Sequence, residues 1–157
     1  MTDRPTVDGT LDAVILCSPV IDPLGRYHYA KGLREDCTPP AGIAERVVPM
    51  HDLYWLTEEA MAEAAPARIL ARGERTSLPP VLLLAHSYED AHPLPDRDEF
   101  VRQYRKAGGQ IDESIFDGEG ELLAGGATKG FSLQNQFSPV AKQGLEKMTS
   151  FIRQHLG

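Results

Sequence analysis

Pro79-Pro80 delivers the chain into Val81-Leu82-Leu83-Leu84-Ala85, a run with no polar alternation at all. A strand with one wet face alternates apolar and polar residues, so this run reads as a strand buried on both faces. Strands of that kind belong to parallel sheets covered by helices. Leu11 to Cys17, ending at Ser18-Pro19, is a second compact run rich in branched residues and reads the same way. Gln110 to Phe116 alternates through Ile111 and Ile115 and supplies a third strand. Parallel strands need crossovers, and these are expected to be right-handed.

The segments between the strands carry helix signals of uneven quality. Val20 to Val48 holds prolines and glycines without a clean period and reads as an irregular excursion. Thr57 is placed to cap a helix whose first turn holds Glu58 and Glu59, with Pro66 ending or restarting it before Gly73. Asp96 is the expected cap of a helix over Arg97–Ala107 that closes at Gly108-Gly109. Its inner face carries Phe100, Val101 and Tyr104, and its outer face an Asp98–Arg102 pair. Ser138 and Pro139 open a final helix with Ala141, Leu145, Met148 and Ile152 on its apolar stripe. The order predicts an α/β fold with three parallel strands, over a single domain spanning residues 1–157.

Composition narrows the function classes. At 157 residues with 41% hydrophobic and 25% charged side chains, the chain has globular values and room for a real core. Sixteen Lys and Arg stand against 23 Asp and Glu, for a net charge of −7. Between Glu89 and Glu121 there are ten acidic and four basic residues, and no basic stripe occurs elsewhere. That pattern argues against nucleic acid and against anionic membranes. No apolar run is long enough to span a bilayer, and Met1 to Pro5 is no signal peptide. Two cysteines, Cys17 and Cys37, form neither a disulfide framework nor a metal knuckle and point to a reducing, cytoplasmic setting. Cys17 is expected to be a core thiol and Cys37 to be exposed. No phosphate-binding glycine motif and no metal-ligand spacing occur, so neither cofactor nor metal is expected.

Several stretches, taken in order, resemble the C-terminal half of an α/β-hydrolase of the esterase/lipase type. Leu16-Cys17-Ser18-Pro19-Val20-Ile21-Asp22-Pro23 is similar to the end of that family's sixth strand. Leu82 to Asp90 looks like the seventh strand and the turn bearing the triad acid. Phe100 to Gly109 resembles the helix after it, and Phe116 to Glu121 occupies the place of the turn after strand eight. The resemblance implies a partial α/β-hydrolase fold with a cap-like excursion over residues 20–65. It also implies an acyl-transfer chemistry in which a serine attacks an ester and water releases the acid.

Carried over residue by residue, the resemblance assigns the triad-acid position to Asp90, with Glu89 as the neighbouring choice. The triad-histidine position is held by Glu121, or by Lys129 if Thr128-Lys129-Gly130-Phe131 is the matching turn. Neither glutamate nor lysine relays a proton at neutral pH as imidazole does. The sequence contains no G-x-S-x-G elbow, which in the family lies upstream of the sixth strand. Ser18 lacks the flanking glycines of an elbow and reads as a turn residue, as His86 and His92 read as turn-stabilising. Tyr54 and Trp55, in the cap-like excursion, are implied to contact a small ester or acyl substrate, once an upstream half completes the site.

Two readings follow. One is a hydrolase-lineage chain that is inactive alone, and the other is a non-catalytic interaction or scaffold module derived from the same fold. A flavodoxin-like or receiver domain needs about five regular βα units and fits less well. A sheet that begins with the apolar run 11–17 leaves that strand at an edge, so the chain is expected to pair there with more sheet or with a second copy.

Overall fold

A computed structural model describes residues 10–35, 41–87, 92–117 and 139–156. Its three strands, β1 (Val14–Cys17), β2 (Val81–His86) and β3 (Ile111–Phe116), form one open sheet in the order β1-β2-β3. Both pairings are parallel: Val14 lies beside Val81 and Val81 beside Ile111, while Cys17 lies beside Leu84 and His86 beside Phe116. All three carboxyl ends therefore fall along one edge of the sheet.

Helices cover both faces. Helices α1 (Pro23–Glu35), α2 (Ala41–Trp55), α3 (Glu58–Glu63) and α4 (Pro66–Ala71) connect β1 to β2. Helix α5 (Leu94–Lys106) connects β2 to β3, and α6 (Pro139–Leu156) comes last. Every residue of β2 is buried. Val81, Leu83 and Ala85 pack with Ala67 of α4 and with Phe100, Val101 and Tyr104 of α5. Leu82 and Leu84 point the other way, into a core with Phe116 and with Phe151 of α6. Two covered faces are the reason the run reads apolar without alternation.

The excursion after β1 differs from the irregular segment expected there. Residues 23–35 and 41–55 are helical, and they stack on each other more than on the sheet. Tyr27 and Ala30 of α1, Ile43, Val47 and Val48 of α2 and Met61 of α3 form a core that belongs to this insertion alone. Mutual burial outweighs the cost of the glycines and prolines. Pro23 starts α1 at little cost, whereas Gly32 and Pro49 lie inside α1 and α2, where each weakens its helix. Thr57 caps α3 as expected, its Oγ1 accepting from the Ala60 N–H at 3.1 Å. Pro66 restarts the chain as α4.

Five further expectations are corrected. β1 is shorter than the run Leu11–Cys17 and only half-buried, because it is an edge strand with one neighbour among the described strands. Cys17 is accordingly exposed rather than a core thiol, and the partial burial it does have pushes its pKa up. Asp96 is not the cap of α5. The helix starts at Leu94 after Pro93, with Pro95 in its first turn, so Asp96 lies inside that turn. On the outer face Arg102 pairs with Glu99, not Asp98. In α6 the buried face runs through Ala141, Gly144 and Phe151, which leaves Ile152 about half exposed. Cys37 and Ser138 lie outside the described residues.

Candidate functional site

Open parallel sheets bind ligands beyond the carboxyl ends of their strands. At the end of β1 the Ser18 N–H continues the ladder to the Leu84 carbonyl at 2.9 Å, and Ser18 itself takes a left-handed φ of +44°. The chain thus turns sharply off the sheet, in the turn role that its Ser-Pro sequence suggests. At the end of β2, His86 is fully buried, and the Ser87 N–H donates to the Phe116 carbonyl at 3.0 Å.

Asp22 ends the turn after β1 and is buried. Its Oδ1 accepts from the Gly25 N–H at 2.9 Å and its carbonyl accepts from Arg26, so it caps α1. Its Oδ2 accepts from Arg68 Nε at 2.8 Å. Asp96, in the first turn of α5, faces the same spot. Burial, reinforced by the negative charge of Asp22 and opposed by Arg68, pushes its pKa from 3.8 to about 6. His92, just before α5, moves the opposite way, from 6.5 to about 4, through burial and then the positive charge of Arg26. Arg97 has one guanidinium nitrogen, Nη1, sealed without a hydrogen-bond partner.

These groups surround a cleft between the β1 turn and the start of α5. Its lining includes Asp22, Arg26, His92, Asp96 and Arg97, and its volume is about 20 Å³. That is room for one water molecule. A larger and more apolar groove of about 300 Å³ runs beside β1 on the α4/α5 face, lined by Leu11, Val14, Leu16, Ile69 and Leu70 among others.

No family model, curated protein or solved structure matches this chain.

Of the residues singled out in the sequence, Asp90, Glu89, Glu121 and Lys129 lie outside the described residues. Tyr54 and Trp55 are described at the end of α2, in edge-to-face contact with ring centroids 4.8 Å apart. Trp55 packs on the core of the insertion, whereas Tyr54 is 76% exposed. Neither lines the cleft beside Asp22. Among the described residues no group of three or more His, Cys, Asp or Glu is arranged to hold a metal ion, and no helix is long and apolar enough to cross a membrane.

The acid–base cluster of Asp22, Arg68 and Asp96 was not foreseen as a unit. Asp22-Pro23 is a legible capping signal, since a short acceptor precedes a proline at the first helical position. Nothing local marks Asp96 as the carboxyl that meets it. Chemically the cluster can hold or release one proton near neutral pH, and it can bond a water. It has no volume for an ester.

Proposed function

We propose that this chain is the carboxyl-terminal portion of an α/β-hydrolase-fold carboxylic-ester hydrolase and that it is catalytically silent alone. The observation that carries this reading is β1, an apolar strand at the sheet edge among the described residues, with an apolar groove beside it. An unprotected edge of this sort is a liability unless something pairs with it. Further parallel strands from an upstream segment, together with their helices, would cover both the edge and the groove. The same segment would bring the serine elbow that this sequence lacks, with Asp90 at the triad-acid position, while the imidazole that neither Glu121 nor Lys129 provides would have to come from elsewhere. Tyr54 and Trp55 would then belong to a cap over the acyl group.

A second reading is a non-catalytic interaction module of the same descent. It is favoured by the size of the cleft at the carboxyl edge, which admits a water and no acyl chain.

The test has two parts. The purified chain is assayed with short-chain nitrophenyl esters, and the expected rate is that of the buffer. Turnover blocked by a serine-directed inhibitor would overturn the silent state. The coding DNA upstream of Met1 is then read for an in-frame G-x-S-x-G. Its presence supports the enzyme reading, in which supplying the upstream segment restores activity that Asp90→Asn severely reduces and Asp112→Asn leaves. Its absence leaves the module.

A further inference from the structure

The helical insertion between β1 and β2 is built as a separate body. Its core shares no residue with either core of the sheet. The chain enters it through the turn before α1 and leaves it through α4. These two stalks are clipped to each other, because Asp22 caps α1 at the entry and holds Arg68 of α4 at the exit.

The first turn of α5 presses on that clip. A Cβ placed on Gly25 would stand 2.7 Å from both carboxyl oxygens of Asp96, so this carboxyl rests directly against the backbone of α1. Asp96 Oδ2 is sealed from solvent without a hydrogen-bond partner. Two carboxyl groups therefore meet at one joint, with the Nε of Arg68 already committed to Asp22.

We propose that Asp96 is a proton-operated latch on the helical insertion. Carrying a proton, it sits neutral against Gly25 beside Asp22 and keeps α1 against the first turn of α5. Giving the proton to water, it becomes a second carboxylate at the joint, repels Asp22 and lets the insertion swing on its two stalks. The raised pKa of Asp96, about 6, places this change between pH 5 and 7.5.

The charged groups facing the joint are Asp22 before α1, Arg26 on α1, Arg68 on α4, and His92 and Arg97 at the start of α5. His92, held down at about 4, stays neutral in the closed joint across that range, and any proton it takes up on opening works against the Asp96 response, so faster exchange at the higher pH is not its doing. Inside the insertion, His28 contacts Glu58 at 3.0 Å, and His51 is stacked on Tyr27, whose O–H donates to Asp52. A pH response arising inside the insertion is separated from the latch by substitution.

Amide hydrogen exchange of the whole chain, read by mass spectrometry at pH 5 and 7.5 and corrected for intrinsic rates, tests the latch. Amides of α1 and α2 are expected to exchange about tenfold faster at the higher pH, as one pKa unit of coupling implies. The amides of β2 and α5 serve as the internal reference. Asp96→Asn cannot ionise and is expected to hold the insertion slow at both pH values. Gly25→Ala drives a methyl into the carboxyl and is expected to leave it fast at both. A wild-type ratio of one overturns the proposal. So does a ratio kept in Asp96→Asn, which would assign the pH response to His28 or His51. If Asp96→Asn fails to fold, a wild-type ratio retained in Gly25→Ala overturns it equally, and a ratio of one there supports it.

Discussion

Asp22 and Arg68 are 46 residues apart in sequence and 2.8 Å apart in space, joining the start of α1 to the middle of α4. The pair is asymmetric. Asp22 is buried, whereas the Arg68 side chain is 41% exposed. Removing the arginine therefore strands a buried carboxylate, while removing the carboxylate frees an arginine that water can reach. Arg68→Ala is expected to cost about 1–2 kcal/mol, with solvent screening already weighed against the charge-assisted bond. Arg68→Lys should recover only part of this, because the planar Nε geometry is lost. Urea denaturation of the three proteins at one pH measures both effects.

The pH dependence of stability follows from two opposing groups at this joint. Asp96 binds its proton more tightly folded than unfolded, so its contribution is fully present below about pH 3.8 and disappears as pH rises through about 6. His92 binds its proton less tightly folded, so its contribution is present above 6.5 and lost as pH falls through about 4. Between pH 4 and 6.5 they largely cancel, and the wild-type melting temperature should be nearly flat. Asp96→Asn should remove the acid-side gain and expose a loss on acidification of about 1 kcal/mol after allowance for screening. His92→Gln should tilt the curve the other way. Thermal melts at half-unit pH steps check the pair, and two parallel curves would disprove the assignment.

Tyr104 ties α5 to the start of the strand it follows. Its O–H donates to the Pro79 carbonyl just before β2, its ring packs on Phe100, and Gly109 lies flat against that ring. A Cβ on Gly109 would overlap the ring, so the position needs glycine for space, while the positive φ of the turn falls on Gly108. Gly109→Ala is expected to destabilise by about 1–3 kcal/mol, as overpacking does. Tyr104→Phe should cost about 1 kcal/mol for the lost hydrogen bond. The double variant should cost less than the two added, because both act on one ring. Chemical denaturation of the four-protein cycle measures the coupling.

What the sequence made legible depended on whether a residue's partners were local. β2 was readable because both its faces are covered, and the apolar run states that directly. Thr57 and Pro66 were readable because caps and first-turn prolines act within a few residues. α1 and α2 were not read as helices, since each supplies half of a private core and neither half is amphipathic enough alone. The i, i+4 pairs Ile43–Val47 and Ala44–Val48 were present as a signal, but the prolines around them drew the reading toward loop. The Asp22–Arg68–Asp96 joint was least legible of all. It depends on Gly25 allowing α5 to approach α1, a contact across the fold that no local pattern encodes.

The edge at β1, unpaired among the described residues, makes the last prediction. Val14 N–H and Ser18 N–H both turn toward β2, so by the two-residue period of a strand the N–H groups of Ile15 and Cys17 face away from β2. The sequence Val14-Ile15-Leu16-Cys17 carries no proline or lysine to discourage pairing there, and the groove beside it is apolar. The chain by itself is therefore expected to self-associate, with a light-scattering mass above the 17.3 kDa of one copy. Cys17→Lys places a charge on the edge at an exposed position and should shift the population to monomer with little loss of stability. Reductant in both samples keeps a Cys17 disulfide from imitating the effect. A wild-type protein that is monomeric across a wide concentration range, and that unfolds cooperatively, would show that the edge is protected by something other than a second copy.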